Sequence, residues 1–305
     1  MALGSNHVTN TTAATFIPEL WSDEIIAAYK QNLVMANLVS KMSFKGKKGD
    51  TLHIPKPTRG SASVKAASSQ VTLQAATESE VQVLVNKHYE YSRLIEDITE
   101  AQALASLRKF YTGDAGYALA KQVDTDLIQL GRGVNGGSGT AAYNKAVLAG
   151  DGSTLYVDGT NVGNAITDAG IRKIIQTLDD ADVPMDGRVL VLPPVARNTM
   201  MGLARFTEQA FTGETGGGNT IRNGEIGNVY GVKVYVTTNA DTATTNTTRI
   251  GMMFHKDAFV LAEQMGVRSQ TQYKQEYLGT LFTSDMLYGV KELRDEAAIA
   301  IALAA

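Results

Sequence analysis

DITEAQALASLRKFYTGDAGYALAKQVDTDLIQL, residues 97–130, is the stretch from which the fold is read. Apolar side chains fall at Leu104, Leu107, Tyr111, Ala115, Leu119, Val123, Leu127 and Leu130, each three or four positions after the last. That spacing keeps them on one stripe of an α-helix. Asp97, with Glu100 three residues on, suits the start of such a helix, and Gly131 suits its end. At about 1.5 Å per residue the helix would be roughly 50 Å long. Gly113 and Gly116 each cost about 1 kcal/mol against alanine. They are expected to mark a break between positions 106 and 116, or a close approach by another backbone. The reading is a short helix running into a long spine.

Composition bounds the rest. The 305 residues are long enough for a large core, in one elaborate domain or two compact ones. A net charge of −3 lacks the basic excess of a dedicated nucleic-acid or membrane-surface binder. The absence of cysteine excludes disulfides, thiolate metal sites and thiol catalysis. The opening residues have neither a charged nor an apolar region of a secretory signal. No apolar run approaches the roughly 18 residues of a membrane span. A soluble, cytosol-made chain is expected.

Residues 1–15 are small and polar and read as an arm without its own core. Phe16 to Trp21 leads into a helix reaching about Gln31, with Pro18 in its first turn. Trp21, the only tryptophan, shares a face with Ile25, Ala28 and Tyr29. It either covers its own spine or anchors on a neighbouring subunit, as interface aromatics do.

Residues 43–95 read as a long β-hairpin. Gly49-Asp50-Thr51-Leu52-His53-Ile54-Pro55 is a turn entering a strand, residues 58–76 are polar and small, and Val81, Val83, Val85, Tyr89 and Tyr91 alternate on the return. A two-stranded ribbon is marginal alone in water, and few partners for it are evident in its own chain. Lys45, Lys47, Lys48, Lys56, Arg59 and Lys65 cluster on it. They read as a solvated face or as intersubunit ion pairs, and the second reading is preferred.

A glycine-rich tract, 131–163, follows the spine. Its Gly131-Arg132-Gly133-Val134-Asn135-Gly136 matches a dinucleotide fingerprint formally, but it follows a helix and opens a loop. The motif needs the reverse order to present a helix N-terminus to pyrophosphate, so it is rejected. Short strands are expected at 145–148 and 154–157. Next come a helix over 165–182, a buried strand over 188–192, a helix over 195–205 and a strand over 229–237. Strands at 250–254 and 258–262, an alternating run at 267–277, a helical or extended segment at 280–290 and a small apolar strand at 297–303 complete the chain.

This order resembles the major capsid proteins of tailed bacteriophages, the Hong Kong 97-like fold. The stretches that carry the likeness are residues 49–55, Tyr117-Ala118-Leu119-Ala120 with Asp124, Val189-Leu190-Val191-Leu192-Pro193-Pro194 before a helix, and Tyr288 through Ala298. The resemblance implies an α+β fold with an N-terminal arm and helix (1–42) and an extended hairpin loop (43–95). It also implies a peripheral domain with the spine helix (96–139 and 246–284) and an axial domain (140–245 and 285–305). It implies self-assembly as hexamers and pentamers into an icosahedral head enclosing double-stranded DNA, without sequence-specific binding and without a membrane. The partners it implies are a separate scaffolding protein, a portal protein at one vertex and, in some relatives, a cement protein. An encapsulin-like cellular compartment shares the fold and is the alternative; a monomeric enzyme or carbohydrate-binding domain is a third reading. Family shells expand as DNA enters, which makes Gly46, Gly49, Gly113 and Gly116 candidate hinges.

Enzyme readings find little support. His7, His53, His88 and His255 are scattered, although His53 and His88 are placed to face each other across the hairpin. A zinc site there would lack further ligands. Asp124-Thr125-Asp126 lacks the glycine and terminal glutamate of a calcium loop. Some relatives crosslink a hairpin lysine to a neighbour's asparagine. Lys56 or Lys65 could supply the amine, but no residue marks the asparagine. No catalytic residue, metal or cofactor is expected.

Overall fold

The spine is continuous where it is described and sinks deeper into the protein along its length. In the computed structural model, which describes residues 33–43, 45, 48–57, 60–71, 73, 78–97, 106–134, 147–152, 155–157, 162–203, 227–243 and 248–304, helix α1 spans Ser106–Gln129 and continues as a 3-10 turn, Leu130–Arg132. Ala115, Leu119, Val123 and Leu127 are buried, as their spacing requires. Asp124, Asp126 and Ile128 are buried as well, so the C-terminal half of α1 is enclosed on more than one side. The expected break is absent. Gly113 and Gly116 lie inside the helix, and a Cβ at either would meet no neighbouring atom among the described residues. The residues next to Asp97 where its expected cap would act, 98–105, lie outside the described residues; the Asp97 carboxylate accepts from the Tyr273 hydroxyl at 2.8 Å.

Two sheets flank the spine. The first has the order β6-β5-β13-β10-β7-β9-β8, from strands Val147–Ala149 (β5), Leu155–Tyr156 (β6), Arg188–Leu192 (β7), Asn228–Val229 (β8), Val232–Val236 (β9), Thr248–His255 (β10) and Ala298–Ala304 (β13). Its central strands are buried on both faces, as their unbroken apolar sequences demand. β13 shows how the two faces differ. Ala298, Ala300 and Ala302 lie in one cluster with the spine residues Leu119, Val123, Leu127 and Ile128. Ile299, Ile301 and Leu303 lie in another with helices α2 (Asp168–Asp180) and α3 (Pro194–Met201), through Ile171, Ile174, Leu178 and Met200. Small side chains face the large helix and large ones face the thinner layer, so both sides fill.

The second sheet, β1-β11-β12-β4, is built from Ser40–Ser43 (β1), Lys87–Glu96 (β4), Phe259–Lys274 (β11) and Gly279–Glu292 (β12). β12 pairs antiparallel with both β4 and β11 along nearly its whole length. The segment at 280–290 is therefore extended, its backbone groups satisfied from both sides. β10 pairs with β7 and β13 in the first sheet, and its Ile250, Met252 and Phe254 pack in one cluster with the spine. All of β12 lies in the second sheet. The expected strand at 229–237 is a hairpin instead. Tyr230 and Gly231, with φ of 51° and 84°, form a two-residue turn between Val229 and Val232.

The long hairpin is also divided. Strands β2 (Thr51–Lys56) and β3 (Ser79–Leu84) pair antiparallel from Thr51↔Leu84 to Lys56↔Ser79. After Val85 and Asn86 the chain enters β4, so Tyr89 and Tyr91 belong to the second sheet and not to the ribbon. The root of the ribbon does find a partner in its own chain: Val83 and Val85 pack with Val260 and Ala262, joined by Leu52, Ile54, Leu287 and Leu293. Gly289 makes this seat possible, because a Cβ there would run into the Leu84 carbonyl and stand 3.1 Å from Val85 Cα. Replacing Gly289 with alanine should lower stability by about 1–3 kcal/mol through forced backbone displacement. Denaturant unfolding of the two proteins measures that loss.

Candidate functional site

The described residues form no evident catalytic cluster, and the surfaces of interest are those that hold the elongated parts in place and those that are left uncovered. The first kind begins at Asp124. Two residues apart on an α-helix means about 200° of rotation, so Asp124 and Asp126 point to opposite sides of α1. Asp124, 0% exposed, accepts from the backbone N–H groups of Val34 and Met35 at 3.1 and 2.8 Å, through one carboxylate oxygen. Its other oxygen accepts from the Asn239 amide at 3.1 Å. Burial pushes the Asp124 carboxyl up, against the lowering effect of these donors. The residue thus pins the entry of the chain, just after the N-terminal 32 residues, to the spine and to the loop after β9.

Asp126 faces the second sheet. It accepts from the Tyr288 hydroxyl at 2.6 Å and the Gln122 amide at 3.1 Å, and pairs with Lys87 at 2.9 Å. Burial and the adjacent Asp126 push the Tyr288 phenol upward. The Tyr288 ring also packs on Tyr89, with centroids 5.9 Å apart. Further along the same sheet, Arg268 on β11 holds Asp285 on β12 through two bonds of 2.7 and 2.8 Å. His88 on β4 adds a third contact at 3.0 Å. The Arg268 guanidinium, then His88, bring the Asp285 carboxyl down to about 2. One side chain from each of three strands meets at this carboxylate.

His53 and His88 do not face each other. His53 lies 3.0 Å from Glu80 on the ribbon, and His88 turns to Asp285 in the other sheet. The ribbon ends at residue 84, so the two histidines are on different sheets. Among the described residues no cluster of three or more His, Asp or Glu side chains is arranged to hold a metal. None of their helices is long and apolar enough to cross a membrane.

An uncovered surface lies on the outer half of the hairpin. Residues 60–71 are exposed throughout, and three apolar side chains are bare: Val64 at 100%, Leu73 at 91% and Val71 at 69% exposure. Lys48, Lys56 and Lys65 are also exposed. Lys45 makes an ion pair within its own chain, 3.2 Å from Glu263. Trp21, Gly46, Lys47 and Arg59 lie outside the described residues. Gly49 has φ of 138°, a conformation that L side chains rarely adopt, and its carbonyl accepts from the Gln264 amide at 3.0 Å. The sequence reading passed over Asp124, Asp126, His88 and Gly289 as holding points. No local signal marked the first two, since Asp124 and Asp126 lie off the apolar stripe, where acids are ordinarily solvated.

The phage capsid protein family model matches residues 14–304. The chain belongs to that family. Its fold is the Hong Kong 97-like capsid fold, and as a family member the chain is a component of the virion capsid. It is similar to the structure from Mycobacterium phage Che8, at 24% identity over 94% of this chain and 97% of that one, with a TM-score of 0.74. The capsid of cyanophage P-SCSP1u is similar over 99% and 97%, at 18% identity and a TM-score of 0.75. The capsid of cyanophage Pam1 is similar over 99% of both chains, at 13% identity and a TM-score of 0.73. At these identities the likeness is one of fold. A comparison with curated proteins finds none that matches. The compartment-shell alternative is not favoured by this family match.

Asp124→Ala would strand two buried N–H groups and take one of two acceptors from the Asn239 amide, which keeps Thr125. Stability is expected to fall by about 2–4 kcal/mol, read from denaturant unfolding. Asp285 has a folded pKa below its unfolded one, so its contribution is complete above about pH 4 and is lost as pH falls toward 2. Asp285→Asn should lower stability at pH 7 and flatten the stability curve between pH 4 and 2, as measured by thermal unfolding across that range.

Proposed function

We propose that this chain is the major subunit of an icosahedral phage head, assembling as hexamers and pentamers around packaged double-stranded DNA. The observation that supports this best is a hairpin split into a seated root and an outer half whose apolar side chains no described part of its own chain covers. In a closed shell many modest contacts repeated by symmetry make a strong container, and Val64, Val71 and Leu73 would complete their burial on a neighbour. Lys48, Lys56 and Lys65, and Trp21, Lys47 and Arg59 with them, are proposed intersubunit contacts; Lys45 has a partner at home. The slight net negative charge suits confining DNA without gripping it.

On this reading the chain acts by holding shape and changing it, and needs no enzymatic chemistry or cofactor. A separate scaffolding protein, a portal protein at one vertex and a cement protein on the outside are the partners proposed, with assembly in the host cytoplasm. Gly49 is the hinge with most backbone support. Gly46 remains a proposed hinge beside it, while Gly113 and Gly116, in an unbroken helix, would act only if α1 bends during maturation.

Electron microscopy of the purified protein, alone and co-expressed with a candidate scaffolding protein, tests the proposal. Thin-walled shells or hexameric rings are expected from the native chain. A double change, Val64→Asp with Leu73→Asp, should cut shell yield at least tenfold while the unfolding free energy stays within about 0.5 kcal/mol of the parent. Monomers under every condition, or unimpaired shells from the double variant, would overturn the role given to the hairpin.

A further inference from the structure

The seat of the hairpin contains a carboxyl pair that the assembly reading leaves unused. A cleft of about 650 Å³ lies between the ribbon and the chain that follows β12. The ribbon contributes Lys56 and Glu80, and the opposite wall contributes Lys291, Glu292 and Asp295. Gly133, from the turn after α1, closes the cleft without a charge. Glu292 is the last residue of β12, and one of its carboxylate oxygens is buried with no hydrogen-bond partner. Its side chain shares a hydrogen bond with Asp295. Two carboxyl groups share a hydrogen bond only when one of them carries a proton.

The charges facing this cleft make the same point. Two lysines, Lys56 and Lys291, face three acids, Glu80, Glu292 and Asp295, and the pull of Lys291 on Glu292 is the weakest of the influences on it, behind burial and Asp295. Glu80 is further occupied by His53 at 3.0 Å and the Gln82 amide at 2.6 Å. An ionised Glu292 would thus stand half-buried beside Asp295 with Glu80 across the gap, the arrangement that desolvation and like charge disfavour most.

We propose that Glu292 and Asp295 form a proton-operated catch for the hairpin. With one proton shared between them, the ribbon root sits closed against β12. Loss of that proton places a third negative charge in the cleft and loosens the root, which then turns about Gly49. Burial first, then the bond and the charge of Asp295, push the Glu292 carboxyl up to about 7 from its ordinary 4.5. A seated hairpin therefore holds a proton that a released one gives up between those two values. Seating is tightest below about pH 4.5, weakens as pH rises through 7 and is level above that. The full change in the seating equilibrium is on the order of a hundredfold.

Hydrogen–deuterium exchange of the full-length protein at pH 5 and pH 8, corrected for intrinsic exchange rates, reads the catch directly. The amides of 51–56 and 79–85 report the root, and those of 188–192 and 298–304 serve as an internal reference. In the native chain the protection of the root relative to the reference should fall by on the order of a hundredfold from pH 5 to pH 8. Glu292→Gln, which mimics the protonated form and leaves His53 in place, should remove that dependence and keep the root protected at both values. Asp295→Asn should retain the dependence but move its midpoint to lower pH. A root that tracks the reference at both pH values in the native chain overturns the proposal. So does an undiminished dependence in Glu292→Gln, or an unmoved midpoint in Asp295→Asn. The readout lies within one chain, so it holds whether or not the outer half of the hairpin meets a neighbour.

Discussion

Everything in this structure depends on a helix that must be buried on two sides at once. The seven-stranded sheet presents the alanines of β13 to one side of α1, and the long strands β4 and β12 lie on another. A helix enclosed in this way cannot put its polar residues in water, so those it has must find partners inside. Asp124 and Asp126 do so in opposite directions, one toward the entering chain and Asn239, the other toward Tyr288 and Lys87. A buried carboxylate without such donors would cost several kcal/mol. The pair therefore specifies how the two sheets and the N-terminal entry are placed around the spine more than it adds to stability.

The hairpin follows from the same economy of burial. Its root has enough apolar surface to pack on β11 and β12, and Gly289 lets the backbones approach within contact. Beyond Lys56 and Ser79 the sequence offers little for any core, and the few apolar residues are exposed. A ribbon fixed at one end and bare at the other can be aimed by small changes at its base. That is why the cleft beside Glu292 matters: it sits where a modest local change is carried along the whole arm. Membership of the phage capsid family gives this geometry a purpose, since a shell that changes size needs elements that stay attached while they reorient.

The sequence by itself determined much of this. The three-and-four spacing from Ala115 to Leu127 required a helix, and the continuous apolar run at 188–192 required a strand buried on both faces. Gly49 through Pro55 with the alternation from Val81 required a ribbon, and the order of these parts along the chain carried the family resemblance. These features are local: periodicity and turn chemistry act over a few residues and can be read in line. Tertiary structure alone decided the rest. The split of the return strand at Val85 was invisible because Val81, Val85 and Tyr89 share one alternation although they serve two sheets. The extended state of 280–290 depends on hydrogen bonds to β4 and β11, which lie elsewhere in the chain. The roles of Asp124, Asp285, Gly289 and Glu292 depend on partners 89 or more positions away for Asp124, on a bond to a histidine 197 positions away for Asp285, and on a backbone and a cleft brought in from the hairpin for Gly289 and Glu292. A glycine or an acid carries no local mark of what will stand against it, because that is settled only when the chain has closed around the spine.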